Sequence, residues 1–136
     1  MLRLMPHAKW NLVRGRPAIP VILTLAQSNQ RVTRNLLADT GAGTARAGFE
    51  LLLDENDCVL AGGIPSQSVV LGGAYSGSFP VYVVRVEIAR LAFNHYIPAV
   101  GVPTVPVGFG GIACFRFLNR FTYGNFGERN RFGLEI

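Results

Sequence analysis

The segment Leu36-Leu37-Ala38-Asp39-Thr40-Gly41-Ala42-Gly43 ends an apolar run with one carboxylate and follows it with residues suited to a tight turn. The apolar run predicts a strand, and the residues after it predict a turn. Asp39 is followed by a hydroxyl, a backbone N–H free of side-chain hindrance and a small side chain. Groups of this kind can hold a carboxylate in position for acid–base chemistry. Asp before Gly is also common in ordinary turns, where it hydrogen-bonds its own backbone. These residues alone support a catalytic and a purely structural Asp39 equally.

Composition places the chain among folded β proteins. It has 136 residues, 49% of them hydrophobic, with 16 Gly and 8 Pro, which fits one domain with a hydrophobic core. Short apolar runs rich in Val, Ile and Phe are separated by Gly, Pro and Asn, and no long segment repeats at helical spacing. This pattern predicts an all-β or mostly β fold.

The lengths of the apolar runs and the two cysteines bear on the location of the protein and on metal binding. No apolar run is long enough to span a membrane, and Arg3, Lys9 and Arg14 interrupt the continuous apolar core that a secretory signal needs. We therefore predict a cytoplasmic protein without a membrane partner. Cys58 and Cys114 lie far apart and form no metal or redox motif, so we expect free thiols with packing roles and no metal site.

Basic residues raise the question of a nucleic-acid partner. Twelve Arg and one Lys oppose eight acids, which gives a net charge of +5. Two basic stripes stand out, the second with interleaved aromatics: Arg14, Arg16, Arg31 and Arg34, then Arg116, Arg120, Arg129 and Arg131 with Phe117, Phe121, Tyr123 and Phe126. Nucleic-acid binders share this pattern, but so do solvated faces on which Arg stems cover apolar surface. We favour solvated faces and expect no nucleic-acid partner.

The order of predicted elements follows from the apolar runs and the turn residues. We expect a strand within residues 16–26 that starts at a sheet edge because of its two prolines, and a second strand over 32–38. An acidic loop at residues 54–57 is predicted to be solvated surface. Further elements are a hairpin over 66–88, a strand over 96–102, a short helix over 112–121, and closing strands at 121–123 and 132–136.

The hairpin has the strongest local pattern of these elements. Its tip reads Gly72-Gly73-Ala74-Tyr75-Ser76-Gly77, between a strand at 66–71 and a strand at 79–88. Glycines at both ends permit large backbone changes, and Tyr75 offers an aromatic surface with a hydroxyl. The tip is thus a candidate mobile cover over a ligand, although a plain connecting hairpin explains the same residues.

In the order of its predicted elements, the chain resembles the single-domain retropepsin-like aspartic peptidases, the family of retroviral proteases and their bacterial relatives. Three features carry the resemblance: Leu37-Ala38-Asp39-Thr40-Gly41-Ala42, the glycine-rich tip at the position of the family's flap, and Gly110-Gly111-Ile112-Ala113-Cys114-Phe115-Arg116-Phe117-Leu118-Asn119-Arg120-Phe121. It covers residues 16–136 and leaves 1–15 as an N-terminal extension that could add a dimer contact. The implied fold is an all-β closed barrel or sandwich with a flap hairpin and one short C-terminal helix.

The resemblance also implies a reaction and its residues. Asp39 would be catalytic, and Thr40, Gly41, Ala42 and Thr44 would support it. The chain has no second Asp-Thr-Gly or Asp-Ser-Gly, so the pair of carboxylates would come from two identical subunits, with a seam at residues 132–136. The flap, residues 72–77, would close over a peptide or protein substrate. No metal or organic cofactor is needed.

Two departures from the family pattern define an alternative. Gly43 stands where the family usually has Ser or Thr, so that Thr44 would have to supply the hydroxyl, and Ile112-Ala113 stand where a Gly usually follows the apolar pair. The alternative is a catalytically weak or inactive module of the same fold that binds extended peptides. A basic β-barrel that binds nucleic acid is a third hypothesis, and it predicts an affinity that falls steeply with salt.

Overall fold

A computed structural model describes residues 7–136, and within this range the chain is mostly β. The strands are β1 His7–Asn11, β2 Ala18–Thr24, β3 Arg31–Ala38, β4 Leu51–Asp54, β5 Gln67–Leu71, β6 Gly77–Ile88, β7 Phe93–Val102, β8 Gly111–Ala113, β9 Thr122–Gly124 and β10 Arg131–Glu135. The helices are α1 Glu55–Gly62 and α2 Phe115–Leu118, with a 3-10 turn at Ala89–Leu91.

Six of these strands form a closed barrel. Their order is β2-β3-β8-β4-β7-β6, and the ring closes where Ile22 and Leu23 of β2 pair with Glu87 and Val86 of β6. β5 pairs with β6 outside the ring and completes the predicted hairpin. The predictions of a mostly β fold, a closed barrel and a glycine-tipped hairpin are therefore confirmed.

The interior of the barrel follows from the two-residue period of its strands. In β6, Val84 and Val86 are fully buried, whereas Val83 and Arg85, which flank Val84, face solvent. Burying one such aliphatic side chain stabilises the fold by about 1.5–3 kcal/mol. A one-residue slip would turn the whole apolar set outward, so this alternation fixes the register of β6 against β7.

The acidic segment at residues 54–57 corrects a prediction. It is not a solvated loop, because Asp54 caps α1 by accepting a hydrogen bond from the Asn56 N–H at 2.9 Å. Asp57 is buried and accepts two hydrogen bonds from Arg34, at 2.9 and 3.1 Å. An N-terminal cap with acidic residues in the first turn favours a helix start, and it outweighs the polarity that suggested a loop.

The C-terminal region contains the predicted short helix with different bounds. Ile112 and Ala113, predicted to begin the helix, instead belong to β8, and α2 covers only Phe115–Leu118. β8 pairs with β3 on one side and with β4 on the other. β3 and β4 lie far from residues 111–113 in sequence. Local periodicity therefore cannot predict that pairing with these strands prevents residues 112 and 113 from joining the helix.

A second sheet has the order β1-β10-β9. β10 therefore has a strand of its own chain on each side, and the predicted dimer seam at residues 132–136 would have to use the outer edges of β1 or β9. Residues 1–6 of the predicted N-terminal extension lie outside the described residues. In the described part of the chain, no helix has the length and apolarity needed to cross a membrane.

Candidate functional site

Asp39 lies directly after β3, at the point where three barrel strands meet. β8 runs between β3, to which it is parallel, and β4, to which it is antiparallel, so that Ile112 pairs with both Leu37 and Leu52. The Asp39 N–H continues this ladder by donating to the carbonyl of Ala113 at 3.0 Å. The backbone of Asp39 is thus held by the centre of the barrel wall, while its side chain is only half-buried.

The turn after Asp39 holds the carboxylate through Gly41. The Gly41 N–H donates to Oδ1 of Asp39 at 2.9 Å, and the Ala42 N–H donates to the Asp39 carbonyl at 3.2 Å. A Cβ on Gly41 would lie 3.2 Å from the same Oδ1, closer than the carboxylate could accept unmoved. The Phe115 N–H, at the start of α2, binds the carbonyl of Ala42 at 2.9 Å and ties the turn to the C-terminal region.

The departure at Gly43 has a local backbone cause. Gly43 has a φ of +74°, in the left-handed region that side-chain-bearing residues rarely adopt. A Ser or Thr at this position would be strained. Thr44 follows and faces the same cavity as Asp39, but within residues 7–136 no hydrogen bond joins its hydroxyl to the Asp39 carboxylate.

The departure at Ala113 places its methyl in the core and not in the cavity. Ala113 is fully buried, and its methyl belongs to the main core cluster with Leu36 and Leu51. Ile112, the preceding residue, faces the opposite side and lines the cavity at Asp39. The alternation of β8 thus directs the extra methyl into the core.

One cavity brings the two predicted motifs together. It has a volume of about 640 Å³ and lies between the Asp39 turn and the hairpin tip. Its lining consists of Arg16, Leu37, Asp39, Gly41, Ala42, Gly43, Thr44, Ala47, Phe49, Leu52, Val70, Leu71, Gly72, Gly73, Ala74, Tyr75, Pro106 and Ile112. Of the predicted site residues, Thr40, Ser76 and Gly77 do not line it. Mostly apolar walls with one carboxylate suit an organic ligand better than an ion.

Tyr75 is folded back from the hairpin tip toward the barrel. It is half-buried, packs beside the cluster that contains Leu52 and Ile112, and meets Phe79 edge-on with ring centroids 6.5 Å apart. Burial raises the pKa of its hydroxyl, and the neighbouring Cys114 raises it further. Tyr75 therefore stays protonated at neutral pH and can donate a hydrogen bond into the cavity.

Cys114 lies buried beneath this cavity. Burial, followed by the negative charges of Asp39 and Glu50, raises the pKa of its thiol to about 12. The thiol is therefore neutral at physiological pH and is not a nucleophile. Cys58 is also a free, buried thiol, so both cysteines have the packing role that the sequence predicted.

A buried ion pair that the sequence did not reveal supports the cavity wall. Glu50 is fully buried, and both of its carboxylate oxygens accept hydrogen bonds from Arg120, the Nη2–Oε2 pair at 2.8 Å. Arg116 donates to the Ala47 carbonyl at 2.8 Å. These contacts join α2 and the turn after it to residues 47–50, although 70 positions separate Glu50 from Arg120, too far for any local pattern to detect.

The predicted basic stripes are largely used within the fold. Arg31 pairs with Glu87 at 2.7 Å, and Arg34 pairs with Asp57. Phe117 and Phe121 are buried and pack against each other with centroids 5.4 Å apart. The second stripe therefore lacks two of the exposed aromatics that base stacking would require.

The structure combines a closed barrel with an apolar cavity under a glycine-rich hairpin. Asp39, which hydrogen-bonds to the end of the central strand β8, faces this cavity. No protein-family model, curated protein or solved structure matches this chain. Among residues 7–136, no group of three or more His, Cys, Asp or Glu side chains could hold a metal ion.

Proposed function

We propose that this chain is an aspartic endopeptidase of the retropepsin-like type that hydrolyses peptide bonds as a homodimer. The observation that carries the proposal is that Asp39, held by the Gly41 N–H, lines the same apolar cavity as the glycine-rich hairpin tip. A plain structural turn does not require its carboxylate to face a cavity of this size.

The reaction needs a second carboxylate, which a second copy of the chain would supply. Two carboxylates about 3 Å apart cannot both ionise, so the pair shares one proton and titrates as a unit. The ionised member takes a proton from a water held between the two, while the protonated member donates one to the carbonyl oxygen of the scissile peptide bond. The first carboxyl then donates its proton to the amide nitrogen, and the second takes a proton from a hydroxyl of the tetrahedral intermediate. The C–N bond breaks, which releases an amine and a carboxylic acid and restores the starting pair.

An extended peptide suits the shape of this cavity. β5 is the outermost strand of its sheet, and Val70 and Leu71 at its end line the cavity beside the hairpin tip. An extended substrate can add its backbone to such an edge and place alternate side chains against the apolar walls. The Tyr75 hydroxyl is available there as a hydrogen-bond donor.

The decisive experiment compares cleavage of a diverse peptide mixture by the wild type and by Asp39→Asn, from about pH 3 to about pH 8, where carboxylate pairs titrate. We expect the wild type to cleave and Asp39→Asn to be inactive. Asp54→Asn is the matched control, because it makes the same carboxylate-to-amide change at the cap of α1, which an amide can also serve. Equal cleavage by Asp39→Asn would exclude the mechanism.

The dimer requirement has its own readout in the same assay. Adding an excess of Asp39→Asn chain should inhibit the wild type, because mixed dimers hold only one working carboxylate. An equal excess of Asp54→Asn should leave wild-type cleavage intact. If the cleavage rate per wild-type chain does not change when Asp39→Asn chain is added, a pair of carboxylates shared between subunits is contradicted.

The inactive binding module is the second candidate, and one observation favours it. The Thr44 hydroxyl makes no hydrogen bond to Asp39 within the described residues, so the expected hydroxyl support for the carboxylate is missing. If the wild type forms a dimer and binds peptides but cuts none of them, this second function replaces the first.

A further inference from the structure

Among the described residues that line the cavity, Arg16 alone has a cationic side chain. The other ionisable groups of the lining are Asp39 and Tyr75. Arg16 is exposed, and within residues 7–136 it forms no ion pair with a carboxylate within 4 Å. An unpaired cation beside apolar walls is well placed to attract an anionic group of whatever occupies the cavity.

The backbone of Arg16 is held beside the Asp39 turn. Arg14 and Gly15 have φ values of +53° and +72° and form a two-residue turn. Val13 and Arg16 then exchange two backbone hydrogen bonds across it, at 2.9 and 3.0 Å. The next residue, Pro17, accepts a bond from the Ala38 N–H at 3.0 Å, one residue before Asp39. Arg16 is therefore fixed at the same end of the β2–β3 pair as Asp39.

The side chain of Arg16 is also ordered by a ring. Its guanidinium carbon lies 5.7 Å from the centroid of Phe109, which is buried against Ala18 and Leu37. A guanidinium stacked on an aromatic face keeps its N–H groups available in its own plane, where they match the two oxygens of a carboxylate. This contact favours one side-chain position of Arg16, which reduces the freedom that it would lose when a carboxylate binds.

We propose that Arg16 selects peptides that carry an Asp or Glu side chain, by pairing its guanidinium with that carboxylate in the cavity. The inference rests on the proposed function, because it assumes that a peptide occupies the cavity. Because Arg16 is exposed, solvent screens this pair, and we expect a modest preference rather than an absolute requirement for an acidic side chain.

The test uses paired synthetic peptide libraries that are identical except for one position fixed as Glu, Gln or Lys. At low salt, we expect the wild type to prefer Glu over Gln at one position by about fivefold in kcat/KM, the upper range for a partly exposed pair. Arg16→Gln should lose this preference, and Arg16→Glu should prefer Lys. Higher salt should weaken the wild-type preference.

Arg14→Glu is the matched control. It makes the same charge change in the same turn, but the Arg14 side chain packs over Gly108 and does not line the cavity. The preference should survive in this variant. An equal change in Arg14→Glu would reveal a general charge effect and overturn the assignment to Arg16. Thermal unfolding checks that each variant is folded.

A binding assay separates this inference from the proposed function. The same libraries are titrated against Asp39→Asn with and without Arg16→Glu, with fluorescence anisotropy as readout. A Glu preference in binding that depends on Arg16, without cleavage by the wild type, would retain the inference and refute the peptidase. Cleavage with an unchanged Glu-to-Gln ratio in Arg16→Glu would refute the inference alone. Neither cleavage nor binding would refute both.

Discussion

Gly41 determines the position of the Asp39 carboxylate in two ways. Its N–H donates to Oδ1, and its missing side chain leaves room for that same oxygen. The first effect needs only a backbone amide, whereas the second needs glycine. The sequence predicted a free Gly41 N–H beside Asp39, whereas the structure was needed to show that a side chain at this position would crowd Oδ1.

The substitution Gly41→Ala tests this arrangement. We expect the fold to survive and kcat/KM for the proposed peptide cleavage to fall by about tenfold or more, since the new methyl displaces the Asp39 oxygen that the proposed mechanism uses by a few tenths of an ångström. Gly48→Ala is the control, because Gly48 does not line the cavity and its added Cβ would make only ordinary contacts, the nearest with Nε2 of Gln67 at 3.8 Å. Equal activity of the two variants would mean that the position of Oδ1 is not critical.

At the scale of elements, the ion pair between Glu50 and Arg120 holds the C-terminal helix region against the segment before β4. Glu50 is bound on all sides, since its N–H donates to the Pro98 carbonyl at 2.9 Å and its own carbonyl accepts from the Cys114 N–H at 3.0 Å. The cavity wall at Ala47 and Phe49 depends on this segment.

Replacing Arg120 should therefore destabilise the fold. We expect Arg120→Met to lower the free energy of unfolding by about 2–3 kcal/mol, below the full effect for a buried pair because the Arg120 side chain is 38% exposed. The cause is a fully buried carboxylate left without its partner. Arg31→Met is the control, since its pair with Glu87 is more exposed and should contribute less than about 1 kcal/mol. Urea titration measures both, and equal losses would contradict the role of Glu50 burial.

For the whole molecule, the two buried thiols report on the integrity of the barrel. Burial raises the pKa of Cys58 to about 12, as it does for Cys114. We expect neither thiol to react with a thiol reagent at pH 8 in the folded protein, and both to react in denaturant. Rapid labelling of the native protein would show that the barrel opens readily.

The same pKa values predict how stability depends on pH. Because each folded-state pKa lies above the unfolded value of about 9, the neutral thiols stabilise the fold fully below pH 9. That contribution is lost as the pH rises from about 9 to about 12. The double variant Cys58→Ala, Cys114→Ala should show a shallower loss of unfolding free energy between pH 8 and pH 10 than the wild type. Parallel losses would exclude the thiols as the cause.

The homodimer and the cytoplasmic location both stay predictions. The homodimer is required by the proposed chemistry. Within residues 7–136 no strand pairs with the outer edges of β1 and β9, which are where a second copy could add to the smaller sheet. The cytoplasmic location rests on the sequence alone.

The sequence by itself determined the β character of the fold, the hairpin with its glycine tip and the turn at Asp39, because these depend on side-chain alternation and on neighbours a few residues apart. Only the tertiary structure decided that residues 111–113 form the central strand, that residues 55–62 form a helix, and that Glu50 meets Arg120. It also brought Arg16 to the cavity of Asp39. Each of these depends on segments that meet only when the barrel closes, and closure is a long-range balance of burial and strand pairing that local patterns do not contain.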